Sequence, residues 1–106
     1  MTPLVAIATL KAREGKEAQV RALFAEMQPK THDEQGCQLY ALHVDRSDPR
    51  TFVMIEIWDS EADIQRHLET PHVQALIART DELFEGRAVI QMLDAVPVGD
   101  SGKGEL

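Results

Sequence analysis

Residues 56–72 read EIWDSEADIQRHLETPH, and this stretch decides how the chain is organised. Glu56 and Trp58 are two apart at the end of an apolar, β-branched run, so they share one face of a pleated strand. Asp59-Ser60 turns the chain, Ser60 is suited to cap a helix, and Asp63 falls in that helix's favourable first turn. Thr70-Pro71 then opens another helix, with Thr70 as the capping residue and Pro71 where a missing N–H does no harm. One strand-to-helix corner thus gathers a carboxylate, an indole and two imidazoles, His67 and His72.

Working outward, strand three is expected over 51–58, TFVMIEIW, preceded by a turn at Ser47-Asp48-Pro49-Arg50. Strand two is expected at 37–45, where Tyr40, Leu42 and Val44 alternate with Leu39, Ala41 and His43. Before it, Val20, Leu23, Phe24 and Met27 form the apolar stripe of a helix over about 16–31, with Pro29 placed to kink or end it. His32 and Glu34, in the loop that follows, read most simply as solvated. Strand one spans 4–11, LVAIATLK. After the central stretch, helices are expected at about 60–69 and 71–85, the latter ended by Gly86, and a last strand at 87–96. One domain is expected over 1–98, followed by a flexible tail, GDSGKGEL, at 99–106.

The order β-α-β-β-α-β predicts an α+β, ferredoxin-like fold: a four-stranded antiparallel sheet with helices on one face. Strands one and three are apolar on both faces, where a sheet with one wet face would alternate. Helices cover one side only, so a homodimer is expected, two sheets packing face to face over Val5, Ile7 and their counterparts.

The 106 residues carry a net charge of −7, with 43% hydrophobic and 27% charged residues. An acidic surface without a basic cluster argues against nucleic acid, and against docking on anionic lipid. No apolar run is long enough to cross a bilayer. The single cysteine, Cys37, rules out an intrachain disulfide, and a cytoplasmic home is expected. There is no glycine loop for nucleotide phosphates, and Cys37 carries no sequence sign of activation. His67 and His72 are five apart across a proline, not the i, i+4 spacing of paired helical ligands, and a metal site from His43, Glu56 and His67 is not favoured.

Four segments together carry a resemblance: Gly15-Lys16 at the first helix, EQGCQLYALH (34–43), DPRTFVMIEIWDS (48–60) and RHLETPH (66–72). Over residues 4–97 the chain resembles the antibiotic biosynthesis monooxygenase family of dimeric α/β-barrel proteins. The resemblance implies a ferredoxin-like dimer and a function among cofactor-free quinol or polyketide oxygenation, haem degradation and sugar-phosphate handling. Haem-degrading members carry Asn, Trp and an iron-ligating His where an ungapped comparison puts Ala8, His67 and Ile77, so haem chemistry by that route is not expected.

The expected function is therefore a cofactor-free monooxygenase acting with O2 on a quinol, phenol or polyketide-like small molecule. Such chemistry needs a base to deprotonate an electron-rich substrate, an apolar cavity and donors for the resulting anion. His67 and His72 are the candidate bases, with Glu56 to orient or charge-stabilise an imidazole. Trp58, Tyr40, His43, Ala8 and Ile77 are the candidate pocket residues. Each has a plainer reading. His67 can cap carbonyls, His72 can sit in solvent, Glu56 can pair with a structural arginine, and Trp58 can serve the core or a dimer contact. A non-catalytic protein holding a hydrophobic ligand is the alternative function. An acid-base pair facing a closed pocket separates the two.

Overall fold

A computed structural model, describing residues 3–106, carries eight elements. They are β1 (Leu4–Lys11), α1 (Glu17–His32), β2 (Cys37–Asp45), β3 (Asp48–Trp58), α2 (Glu61–Leu68), α3 (Pro71–Ala78), α4 (Thr80–Leu83) and β4 (Val89–Asp94). The strands form one antiparallel sheet in the order β2-β3-β1-β4, the ferredoxin-like arrangement expected from the sequence. Register sets the two faces. Ala6 lies opposite Glu56 and Ala8 opposite Met54, while Tyr40 meets Glu56 from β2 and Ile90 meets Ala8 from β4. These residues point toward the helices, with Phe52 and Trp58. Val5, Ile7, Val53, Ile55 and Ile57 point the other way.

The core lies between β3, β1 and the helices, where Phe24, Phe52, Met54, Trp58 and Leu83 are each almost wholly buried. At roughly 1.5–3 kcal/mol per fully buried large apolar side chain, this layer is the main source of stability. On the outer face Val5 and Ile57 at the sheet centre are buried, but Leu39, Val89 and Leu93 at its flanks are exposed.

Four local expectations need correction. The hairpin turn is Arg46-Ser47, not 47–50, because Asp45 already pairs with Asp48. The Asp45 carboxylate accepts from Ser47 N (2.7 Å) and Asp48 from Arg50 N (3.0 Å), which closes the turn early and leaves Pro49 within β3. Pro29 does not end α1. It removes one donor in the last turn, yet the helix runs on to His32, with Thr31 fully buried. Thr70 precedes α3, but its hydroxyl makes no capping bond there. It donates instead to His67 O (2.7 Å), satisfying a carbonyl left over where α2 ends. Finally, the helix expected over 71–85 breaks at Arg79. Beyond it, Leu83 O accepts from Arg13 N (2.8 Å) and Glu85 N donates to Lys11 O (2.8 Å), tying that segment to the end of β1.

Candidate active site

Three side chains converge under α2. Ser60, extended at φ −156°, accepts from Asp63 N (3.3 Å), which starts α2 as expected. Ile64 and His67, three apart, then face the sheet and are buried. The His67 ring is held between Trp58 (centroids 4.7 Å apart) and Tyr40 (5.3 Å, edge-on). Its Nδ1 donates to Glu34 Oε2 at 2.7 Å. His72, turned back by the Thr70-Pro71 break into the first turn of α3, donates from Nε2 to the same oxygen at 2.8 Å. An ionised carboxylate only accepts, so each imidazole carries its proton on the atom facing Glu34. His67 Nε2 is then unprotonated, and the ring forms part of the wall of a cavity.

Glu34 reaches this position because the chain reverses at Gly36, whose φ of +85° favours glycine. A Cβ there would also collide with the Asp63 carboxylate, and Gly36 O accepts from Asp59 N (2.8 Å). The turn is thereby fixed to the end of β3.

The cavity has a volume of about 150 Å³. Ala8, Met54 and Glu56 of the sheet form its floor, and Phe24, Val73 and Leu76 line the helical side. Ile77 and Ile90, both about half exposed, stand at its mouth. An apolar space of about 150 Å³ holds one benzene-sized ring. The polar groups in its wall include the Glu56 carboxyl, the His67 imidazole and the Tyr40 phenol.

Burial tunes all three. Desolvation holds His67 below the ordinary imidazole range, partly opposed by its hydrogen bond to Glu34 and the charge there, so the ring is neutral near pH 7. Burial pushes Glu56 up to about 7, although the Trp58 indole donates to Oε1 at 2.9 Å and favours the anion. Tyr40 is raised, chiefly by burial and then by the charge of Glu56. The Cys37 thiol is pushed up to about 11 by burial, which leaves it unreactive as a nucleophile near neutrality.

Of the residues singled out in the sequence, Glu56, His67, Tyr40, Ala8 and Ile77 line the cavity. His72 stands one residue removed, behind Glu34. Trp58 is fully buried behind His67 and Glu56 and is not part of the lining. His43 lies on the opposite face of the sheet, exposed, with Nδ1 on Ala41 O (3.0 Å), because it alternates with Tyr40 and Leu42. The grouping His43, Glu56 and His67 is therefore not assembled. The carboxylate that orients an imidazole is Glu34, not Glu56, and Glu34 is not solvated: its side chain is 14% exposed. Its partners are 33 and 38 residues away, beyond any periodic signal. The available hint was two histidines flanking a helix break. Glu34, His67 and His72 offer ligand atoms within 4.8 Å of one another and are the group able to hold a metal ion among the described residues.

The sequence profile described as antibiotic biosynthesis monooxygenase matches residues 3–79. The chain is 37% identical over 82 residues to YgiN of Escherichia coli, named a probable quinol monooxygenase, with 68% of this chain and 79% of that one covered. Among solved structures, PA3566 from Pseudomonas aeruginosa superimposes with a TM-score of 0.85 at 31% identity, covering 91% of this chain and 96% of that one. A crystal structure described as an antibiotic biosynthesis monooxygenase gives 0.83 at 32% identity, covering 89% and 99%.

Proposed function

The chain belongs to the antibiotic biosynthesis monooxygenase family, and from that premise we propose that it oxidises a quinol or related phenol with O2, without a bound cofactor, using His67 as general base. One observation carries the reading: His67 is fixed by Glu34 through Nδ1 while its ring forms the wall of an otherwise largely apolar cavity. That is an acid-base pair at a pocket able to take one aromatic ring, and it favours an enzyme over a passive hydrophobic-ligand binder. The similarity to YgiN supports the same substrate class.

The chemistry follows from those positions. A quinol hydroxyl gives its proton to His67 Nε2, and the electron-rich anion passes an electron to O2, which removes the spin barrier to combination. The two radicals join through a C–O bond, and loss of water leaves a hydroxylated quinone, so that quinol plus O2 gives hydroxyquinone plus water. Glu34 stabilises the imidazolium that forms. Tyr40, kept protonated by burial, has its hydroxyl against Thr31 and packs its ring edge-on against His67, which steadies the base. The apolar wall excludes water from the radical pair. A cytoplasmic setting fits the single cysteine. A homodimer built on the outer sheet face accounts for the exposed Leu39, Val89 and Leu93.

The test is oxygen uptake by metal-stripped protein over a panel of hydroquinones and phenols, with products identified by mass spectrometry after labelling with heavy oxygen. Uptake above autoxidation with label in the product is expected, and His67→Ala should lower it by roughly 10²–10⁴-fold. Full turnover in His67→Ala would remove its role as base. A flat trace, with hydrophobic ligands still bound, would move the assignment to a binding protein.

A further inference from the structure

Behind the His67 ring, on the side away from the cavity, lies a second chemical opportunity. We propose that Glu34, His67 and His72 form a binding site for one divalent first-row transition metal ion of the zinc class, and that an ion there turns off His67 as a base. The second half rests on the assignment of His67 under the proposed function; the first does not.

The donor set is His67 Nδ1, His72 Nε2 and Glu34 Oε2, all within 4.8 Å. Two imidazole nitrogens and one carboxylate oxygen are the ligands that zinc and its neighbours take, with solvent completing the shell. The five-residue spacing of the histidines does not prevent convergence, because the break at Thr70-Pro71 swings His72 back over His67. The side chains are 4%, 11% and 14% exposed, so the group is sheltered yet reachable from the surface at Glu34 and His72. Orientation is set in advance. Trp58 and Tyr40 grip the His67 ring, and the Thr31 and Thr70 hydroxyls lie 3.2 and 3.3 Å from His72 Nε2. The aromatic contacts hold the His67 ring in place, whereas the two hydroxyls contact the nitrogen that would ligate and give it up to the ion.

The nitrogens now stand 2.7 and 2.8 Å from the shared oxygen, joined by protons. An ion at about 2.0–2.2 Å from each donor takes the place of both protons, and each neutral imidazole then carries its one proton on its other ring nitrogen, His67 on Nε2 and His72 on Nδ1. The donors must then spread to roughly 3–3.5 Å. A neutral imidazole carries one proton. With Nδ1 on the ion, that proton sits on Nε2, and the atom that accepted the substrate's proton becomes a donor. The ring itself stands between the ion and the cavity. Its effect on the substrate is therefore exerted through the imidazole, not by direct contact.

The full chain, metal-stripped, is titrated with Zn2+ by calorimetry and with Co2+ by visible absorption. One ion per chain is expected, with the intense d–d bands of a low-coordinate site. His72→Ala and Glu34→Gln should each weaken binding by at least about 100-fold, while His43→Ala on the opposite face leaves it unchanged. If His72→Ala does not fold, Glu34→Gln, nearly isosteric, still decides the point. Absence of binding by the natural chain, or binding unaltered by both site variants, overturns the site. On the most active quinol of the panel, Zn2+ should reduce turnover in proportion to occupancy, and His72→Ala should lose that sensitivity whatever its own rate. Zinc that binds at the site and leaves turnover unchanged overturns the switch. If no quinol is oxidised with or without zinc, the proposed function falls and the switch with it, while the titrations still decide the site.

Discussion

β3 and β4 flank β1 in one sheet and are built from similar residues, yet they end in opposite environments. Phe52, Met54, Glu56 and Trp58 of β3 are all buried, whereas every residue of β4 is exposed, Ile90 and Met92 included. The difference is cover: α1 packs against β2 and α2 against β3, while β4 packs chiefly on β1. Apolar sequence therefore marks a strand without saying how deep it lies. Depth has chemical consequences. Where the helices seal the sheet, desolvation moves Glu56 and His67 toward neutrality. Where they stop, Ile90 forms the cavity mouth, and β4 leaves Val89 and Leu93 exposed on the outer face.

The contrast can be broken most sharply at Trp58. With no exposed surface, Trp58→Ala should cost about 3–5 kcal/mol, read from the denaturant midpoint. A loss below about 1 kcal/mol would show that the sealed half is not the stability core. Next comes Glu56, whose folded-state value is raised from 4.5 to about 7. A raised carboxyl contributes stability below its unfolded value, and that contribution is lost as pH rises through the folded value. Glu56→Gln should thus be more stable than the natural chain by on the order of 3 kcal/mol above pH 7, with the gap closing near pH 4.5. Equal thermal melts at pH 5 and pH 8 for the pair would contradict the sealed environment. The smallest effect on folding belongs to the open half. Leu93→Glu should change monomer stability by no more than about 0.5 kcal/mol but shift the proposed dimer to monomer in light scattering. A natural chain that is monomeric at micromolar concentration would remove the dimer.

Much of the fold was legible because it depends on local, repeating signals. An apolar, β-branched run located β1 and alternation located β2, both at their observed bounds, and Ser60 marked the start of α2. The misplaced boundaries lie where a distant partner intervenes. Arg79 breaks a helix because Leu83 and Glu85 bond to the segment around Lys11, and Thr70 turns its hydroxyl to the preceding helix. Within the site, His67 and Glu56 were identifiable by residue type. Glu34 was not, since a carboxylate in a polar loop looks the same whether it meets water or two imidazoles.

The amino-acid order by itself determined the succession of elements as far as α3, the two-faced character of the central strands and the candidate imidazoles, because each follows from spacing along the chain. Only the tertiary structure decided which carboxylate serves which ring, that Trp58 pairs with Glu56, that His43 lies on the opposite face from His67, and how far each titratable group is dried. The site depends on register and on the reversal at Gly36, which brings Glu34 to two imidazoles more than thirty positions away. Dehydration, and with it the acid-base character of the cavity, is a property of what covers a residue and not of its neighbours in sequence.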